Sequence, residues 1–250
     1  MYSLCSPCPQ EEVRKLKDKK DWVEVLRHSK FVRSCHWGIV LTCLFLILTG
    51  IQLAFGYEIV DDPQALHLRL GIVFLGLWGL FAYFAMTEEW KWITPKRIPY
   101  SIKFVMEEAV AWVRGDHVED PRAYDPKRKE YVEKVIPSQV LVWWTYVALT
   151  LVIGLTGLVL YDPELFKPFM NFADRLAMLF GINGYALVRG LHRFTMFLYI
   201  TVAILHAYAA TIFDTLHSMI YGTRREKVAW SSSKKISKEI SKEIVGAGSR

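Results

Sequence analysis

Four runs of this chain carry no charged residue: 37–57, 70–87, 135–161 and 194–213. Each is about 18 residues or longer, enough to cross a hydrocarbon layer of roughly 30 Å as a helix. Four such spans in 250 residues leave little chain for a separate soluble domain. The expected fold is an all-α membrane protein, a bundle of four transmembrane helices. Its membrane domain should cover 36–225, with an amphipathic segment at 1–35 and a flexible tail at 226–250. The first 35 residues are polar before the first span, and no short apolar core precedes a small-residue cleavage site. The first span is therefore expected to remain as an anchor.

Basic residues set the expected orientation. Residues 1–35 hold eight Lys/Arg, 88–137 hold ten and 214–250 hold eight, whereas 58–66 hold none and 162–186 hold two. By the positive-inside rule both termini and the long middle loop face the cytoplasm, in a cell inner membrane. The basic residues flank apolar spans and form no groove with interleaved aromatics. This argues against a nucleic-acid partner and for membrane lipid.

Shorter segments carry weaker signals. Residues 11–33 place Val13, Leu16, Trp22, Val25 and Leu26 at roughly helical spacing, which predicts an amphipathic helix on the cytoplasmic face. A second interfacial helix is expected over 100–113, ended by Gly115. The external loop 162–186 carries Phe166, Phe169, Phe172, Leu176, Leu179 and Phe180, a surface suited to a partner or to the membrane. In the tail, Ile236, Ile240 and Ile244 recur every four residues. Cys5 and Cys8 form a C-x-x-C without a second pair or a following His, so reduced thiols are expected. Cys35 and Cys43 read as packing residues.

Chemistry is concentrated in the histidines. His192 and His206 lie fourteen residues apart in the fourth span. Fourteen steps of 100° fall about 40° short of four turns, so both imidazoles share a face about 21 Å apart. His36 opens the first span from the cytoplasmic side, and His67 opens the second from outside. Depth alone then pairs His67 with His192 near the outer surface and His36 with His206 near the inner one. Ionisable residues at membrane depth face the bundle interior and need a partner. Two axial imidazoles on a haem iron meet that need and leave no open position for oxygen. Two haems are expected. No carboxylate or thiol joins at these depths, which argues against zinc. His28 and His117 lie in polar segments, and His217 falls beyond the membrane, at the edge of an inner quinone pocket. Arg33 on the inner side, and Arg69, Arg189 and Arg193 on the outer, are candidates for haem propionates.

These residues resemble a known family. Arg33-Ser34-Cys35-His36-Trp37 is similar to the R-x-x-H-W opening of the first helix in cytochrome b subunits of membrane-bound nickel–iron hydrogenases and formate dehydrogenases, within the bacterial cytochrome b561-like superfamily. His67 with Gly71 resembles the second-helix ligand region. His192-Arg193 through His206-Ala207-Tyr208, and then Ser218-Met219-Ile220-Tyr221-Gly222, resemble the last helix and its exit. The likeness covers roughly 30–225. It implies a di-haem b subunit that takes electrons from an external iron–sulfur subunit, itself fed by a catalytic subunit. Menaquinone or ubiquinone is reduced at the inner side. It also implies that His67 and His192 hold the outer haem, and His36 and His206 the inner. The family's Asn-Ala-Gly-Gln-type stretch before the third helix is replaced here by 133–139. Gln139 and Ser138 are the quinone-side candidates that remain, with His217. No nucleophile–base pair or phosphate loop is present, so the donor-oxidising site belongs to another chain. Two other readings are a self-standing cytochrome b561-like quinol oxidoreductase and a haem-free membrane anchor or transporter element.

Overall fold

The computed structural model describes residues 21–229. Four long helices dominate it: α1 (Lys30–Phe55), α2 (Pro63–Glu88), α5 (Pro137–Tyr161) and α7 (Gly184–Ile212). All four are apolar and long enough to cross a membrane. Leu41, Leu44, Val73, Leu80, Leu151 and Ile204 point outward and are exposed. In lipid that outward face is in its preferred solvent, and away from the ends the backbone groups are satisfied within each helix.

Polar residues at the ends decide where the helices start. The Ser29 hydroxyl accepts from the Val32 N–H at α1, the Asp62 carboxylate from Ala65 at α2, and the Asn183 amide oxygen from Ala186 at α7. Pro63 and Pro137 occupy first-turn positions, where the missing N–H costs nothing. Gly56 ends α1 at φ 76°, a left-handed conformation that suits glycine. The α1–α2 connection is then pinned by Gln52, whose amide donates to Val60 O at 2.6 Å and accepts from Val60 N at 3.0 Å.

The backbones of α1 and α2 run close together, and so do those of α5 and α7. Between the two pairs the backbones stand further apart, and large side chains fill the seam. At mid-depth these are Phe74 and Trp78 from α2 and Tyr199 from α7. Ile39, Cys43 and Leu46 of α1, and Trp143, Tyr146, Val147 and Leu149 of α5, pack around them. Cys35 is buried and Cys43 half-buried, both free thiols in packing positions.

At the end where α1 begins and α7 finishes lie α3 (Trp90–Ile93), a 3-10 turn at Pro95–Arg97, and α4 (Ile98–Val113). The last matches the helix expected over 100–113, and Gly115 follows it at φ 79°. Phe104 of α4 packs with Ile136 and Phe213, which seats this helix across the ends of α5 and α7. At the opposite end, α6 (Lys167–Ala177) folds against α7. It buries Ala173 near Val159 and Val188 and leaves Phe172 and Leu176 exposed.

One expectation fails. Residues 22–26 are not helical: β1 (Trp22–Leu26) pairs antiparallel with β4 (Thr223–Lys227), Trp22 opposite Lys227 and Leu26 opposite Thr223. The segment reads Trp-Val-Glu-Val-Leu, and its two β-branched valines flank a polar residue. That period of two outweighs the looser helical spacing. A second hairpin, β2 (Ala123–Asp125) with β3 (Glu130–Glu133), lies in the middle loop. A short helix α8 (Leu216–Tyr221) leads from α7 into β4. Residues 30–33 of the expected N-terminal helix instead begin α1, and its residues 11–20, Cys5, Cys8 and the isoleucine repeat of the tail lie outside the described residues.

Charged side chains bind this end together. Glu226, fully buried, accepts from Arg27 at 2.5 Å and from Arg224 at 2.6 Å. Buried Arg122 and Arg224 share the Asp120 carboxylate and the Phe213 carbonyl. Arg27 N and His28 N both donate to Gly222 O, at 2.8 and 3.1 Å. The segment before α1, the middle loop and the segment after α8 thus meet in one clasp.

Candidate functional site

Four histidines cross the seam in two layers. Near the short connections, His67 of α2 faces His192 of α7, with ring centroids 6.3 Å apart. Near the start of α1 and the end of α7, His36 of α1 faces His206 of α7, also at 6.3 Å. All four are half-buried. These are the pairs that depth alone predicted.

The separation has chemical meaning. A metal–nitrogen bond to imidazole is about 2.0 Å, and a ring atom lies roughly 1.15 Å from its centroid. Two imidazoles opposed across one metal ion therefore stand about 6.3 Å apart. Among the described residues no group of three or more His, Cys, Asp or Glu could hold an ion. Each pair offers two imidazoles, and a group that brings its own remaining ligands would fit between them. A haem iron, already bound by four macrocycle nitrogens, fits that donor set.

Hydrogen bonds in the His67/His192 layer decide which ring nitrogen is left free to bind. Thr49 Oγ1 lies 2.8 Å from His67 Nδ1, and Thr156 Oγ1 lies 2.9 Å from His192 Nδ1. Each threonine hydroxyl spends its one proton on its own helix, Thr49 on Phe45 O at 2.8 Å and Thr156 on Val152 O at 2.7 Å. Each oxygen must then accept from an imidazole Nδ1–H, leaving Nε2 with its lone pair. The next residue in both helices is glycine. A Cβ on Gly50 would stand 3.4 Å from His67 Cε1, and one on Gly157 would stand 3.3 Å from His192 Cε1. The same Thr-Gly pair therefore cradles both rings, one from α1 and one from α5.

The His36/His206 layer is held differently. Gln139 of α5 contacts His206 Nδ1 through its terminal amide at 3.1 Å. As placed, Nε2 of the amide donates. A half-turn of the amide would present Oε1 instead and accept an Nδ1–H. His36 Nδ1 is buried without a partner. Tyr146 meets His206 edge-on at 6.1 Å.

The arginines divide. Arg33 donates to Ile220 O, and its Nε is buried without a partner. Arg193 is half-buried and reaches Ala54 O at 3.5 Å. Arg69 and Arg189 are exposed. Ser138 is half-buried in the first turn of α5. His217 is exposed, stacked on Tyr221 at 4.6 Å. Gln139 is thus joined to a candidate ligand, whereas His217 stands apart from both layers' ring contacts.

Sequence reasoning missed Thr49, Thr156 and Tyr199. The repeated Thr-Gly pair was one available signal. The other was the position of Tyr199, seven residues from each histidine of α7.

Four membrane-length helices that align imidazole pairs across a seam define a membrane haem protein of the electron-transfer class. The family model for prokaryotic cytochrome b561 matches residues 27–222, and the chain belongs to that family. No curated protein matches the chain. The matched span begins at Arg27 and ends at Gly222, the two residues whose backbones bond across the clasp.

Proposed function

We propose that this chain is the di-haem b subunit of a respiratory complex in a bacterial inner membrane. The observation that carries this reading is the pair of imidazole layers, each with centroids 6.3 Å apart, at two depths of one bundle. A haem b held by two imidazoles passes one electron at a time between its ferric and ferrous states. In this reading His67 and His192 bind one haem at the outer side, and His36 and His206 bind another at the inner side. Thr49, Thr156 and Gln139 orient the rings. Half-buried Arg33 and Arg193 are the candidates to meet propionates, with exposed Arg69 and Arg189 as further ones.

Electrons enter on the outer side from an iron–sulfur subunit of hydrogenase or formate dehydrogenase type, itself fed by a catalytic subunit. They leave on the inner side to menaquinone or ubiquinone near Gln139, Ser138 and His217. The exposed apolar face of α6 and the turn after it, with Phe172, Leu176, Leu179 and Phe180, supports a docking role at the outer side. Charge asymmetry supports the orientation.

Pyridine haemochrome analysis of the purified chain tests the reading. It should give two b-type haems per chain, and His206→Ala should retain one. Full retention of both low-spin components in His206→Ala would defeat the assignment. Co-purification in mild detergent tests the partner: an iron–sulfur protein is expected to travel with the chain.

A further inference from the structure

Tyr199 lies seven residues after His192 and seven before His206. Seven residues make two turns less about 20°, so the phenol shares the histidine face and sits about 10.5 Å along the axis from each. It is buried, 6% exposed. On α2, Phe74 stands seven residues after His67 and is 5% exposed. The two rings meet at 6.0 Å. On the other side of the phenol, Tyr146 lies 5.0 Å away and itself touches His206 at 6.1 Å. A continuous series of rings therefore runs from His206 through Tyr146 and Tyr199 to Phe74, two turns below His67.

The phenol is fixed from two other helices. The Trp78 indole N–H donates to the Tyr199 hydroxyl oxygen at 3.0 Å. Thr150 Oγ1 lies 3.2 Å from the same oxygen. Indole is only a donor, so the phenol oxygen accepts from Trp78, and it shares a second hydrogen bond with the Thr150 hydroxyl, in which either group can donate. A phenylalanine would fill the seam without needing these partners, and an unsatisfied hydroxyl at this depth would be costly. The hydroxyl therefore locks the ring plane and position, which dispersion alone holds less firmly.

We propose that Tyr199 is the spacer between the two imidazole layers: it fixes α2 and α5 against α7 midway between them and provides the middle of the aromatic path by which electrons cross. The inference rests on the di-haem reading above. Tyr199 is a positioning residue and is not oxidised. One electron arrives from the His67/His192 side as one departs on the His36/His206 side, so the phenol ends each transfer unchanged. It keeps its proton, because Trp78 and Thr150 include no base to take it.

The test uses the full chain in sealed proteoliposomes, with a water-soluble photoreductant outside. Haem content is measured first; a wild type lacking two haems defeats the underlying reading, independently of the spacer. With two haems present, Tyr199→Leu should keep haem content and both midpoint potentials but slow electron equilibration between layers severalfold. Tyr199→Phe, which keeps the ring, should fall closer to wild type. Wild-type speed in Tyr199→Leu with both haems bound overturns the proposal. Should Tyr199→Leu shed haem, Phe74→Leu removes the next ring of the series and reads the same rate. Slowing there supports the path, and unchanged speed overturns it.

Discussion

At the scale of single residues, the two layers differ in what holds their imidazoles. The threonines of the His67/His192 layer are locked acceptors, because their protons are committed to helix carbonyls. Thr156→Val keeps the shape and removes the acceptor. Loss of such a hydrogen-bond partner typically weakens metal binding by about 10- to 100-fold. The expected result is selective loss of one haem component under haem limitation, with the His36/His206 component intact, as read by redox-resolved difference spectra. Gln139→Leu should do the converse. If Gln139 serves only the quinone, its replacement will leave haem content unchanged, so this variant separates the two roles. The histidine pairing was legible because ligand depth follows from span order and a fixed rise per residue. The ring contacts of Thr49, Thr156 and Gln139 were not, because a contact between helices depends on rotation about each axis, which no spacing within one span reveals.

At the scale of elements, the ends of the four spans were legible to within two residues, but α1, α2 and α7 begin seven to ten residues before the charge-free runs, behind the Ser29, Asp62 and Asn183 caps. The clasp was not legible. Its strands pair residues about 200 apart, and β1 shows its period over only five residues. The charges there are interdependent. Arg27, Arg122 and Arg224 face Asp120 and Glu226, all of them buried or half-buried. Burial raises the Asp120 carboxyl, but the hydrogen bonds and charge of Arg122, with Arg224, more than offset this and leave it below its ordinary value. Glu226→Ala would strand two buried guanidinium groups, and breaking a buried pair costs about 3–5 kcal/mol. A lowered thermal midpoint with haem spectra unchanged below it is expected. His28 adds an acid sensitivity. Burial first, then the charges of Arg27 and Lys134, push its imidazole down to about 3 from 6.5. Between those values the unfolded chain binds a proton that the folded chain does not, so stability falls as pH drops through this window. The thermal midpoint should therefore decline from pH 7 to pH 4 less steeply in His28→Gln than in wild type.

At the scale of the whole molecule, direction is the property that matters. A bundle with two electron sites separates charge only if each site belongs to a known side of the membrane. The histidine layers are distinguished by their neighbours: His36/His206 lies beside the clasp, and His67/His192 lies beside the short connections. Among the described residues the clasp end carries most of the basic side chains, and the positive-inside rule assigns such an end to the cytoplasm. Single cysteines test this. Glu58 in the α1–α2 connection and Arg128 in the turn between β2 and β3 are both exposed. In intact spheroplasts, Glu58→Cys should react with a membrane-impermeant maleimide, and Arg128→Cys should react only after lysis. The unsubstituted chain, whose Cys5 and Cys8 belong to the expected cytoplasmic segment, gives the background in each case. Protection of position 58 with labelling of position 128 would place the His67/His192 layer inside. The donor would then have to dock on the cytoplasmic face, and electrons entering there would move outward instead of inward.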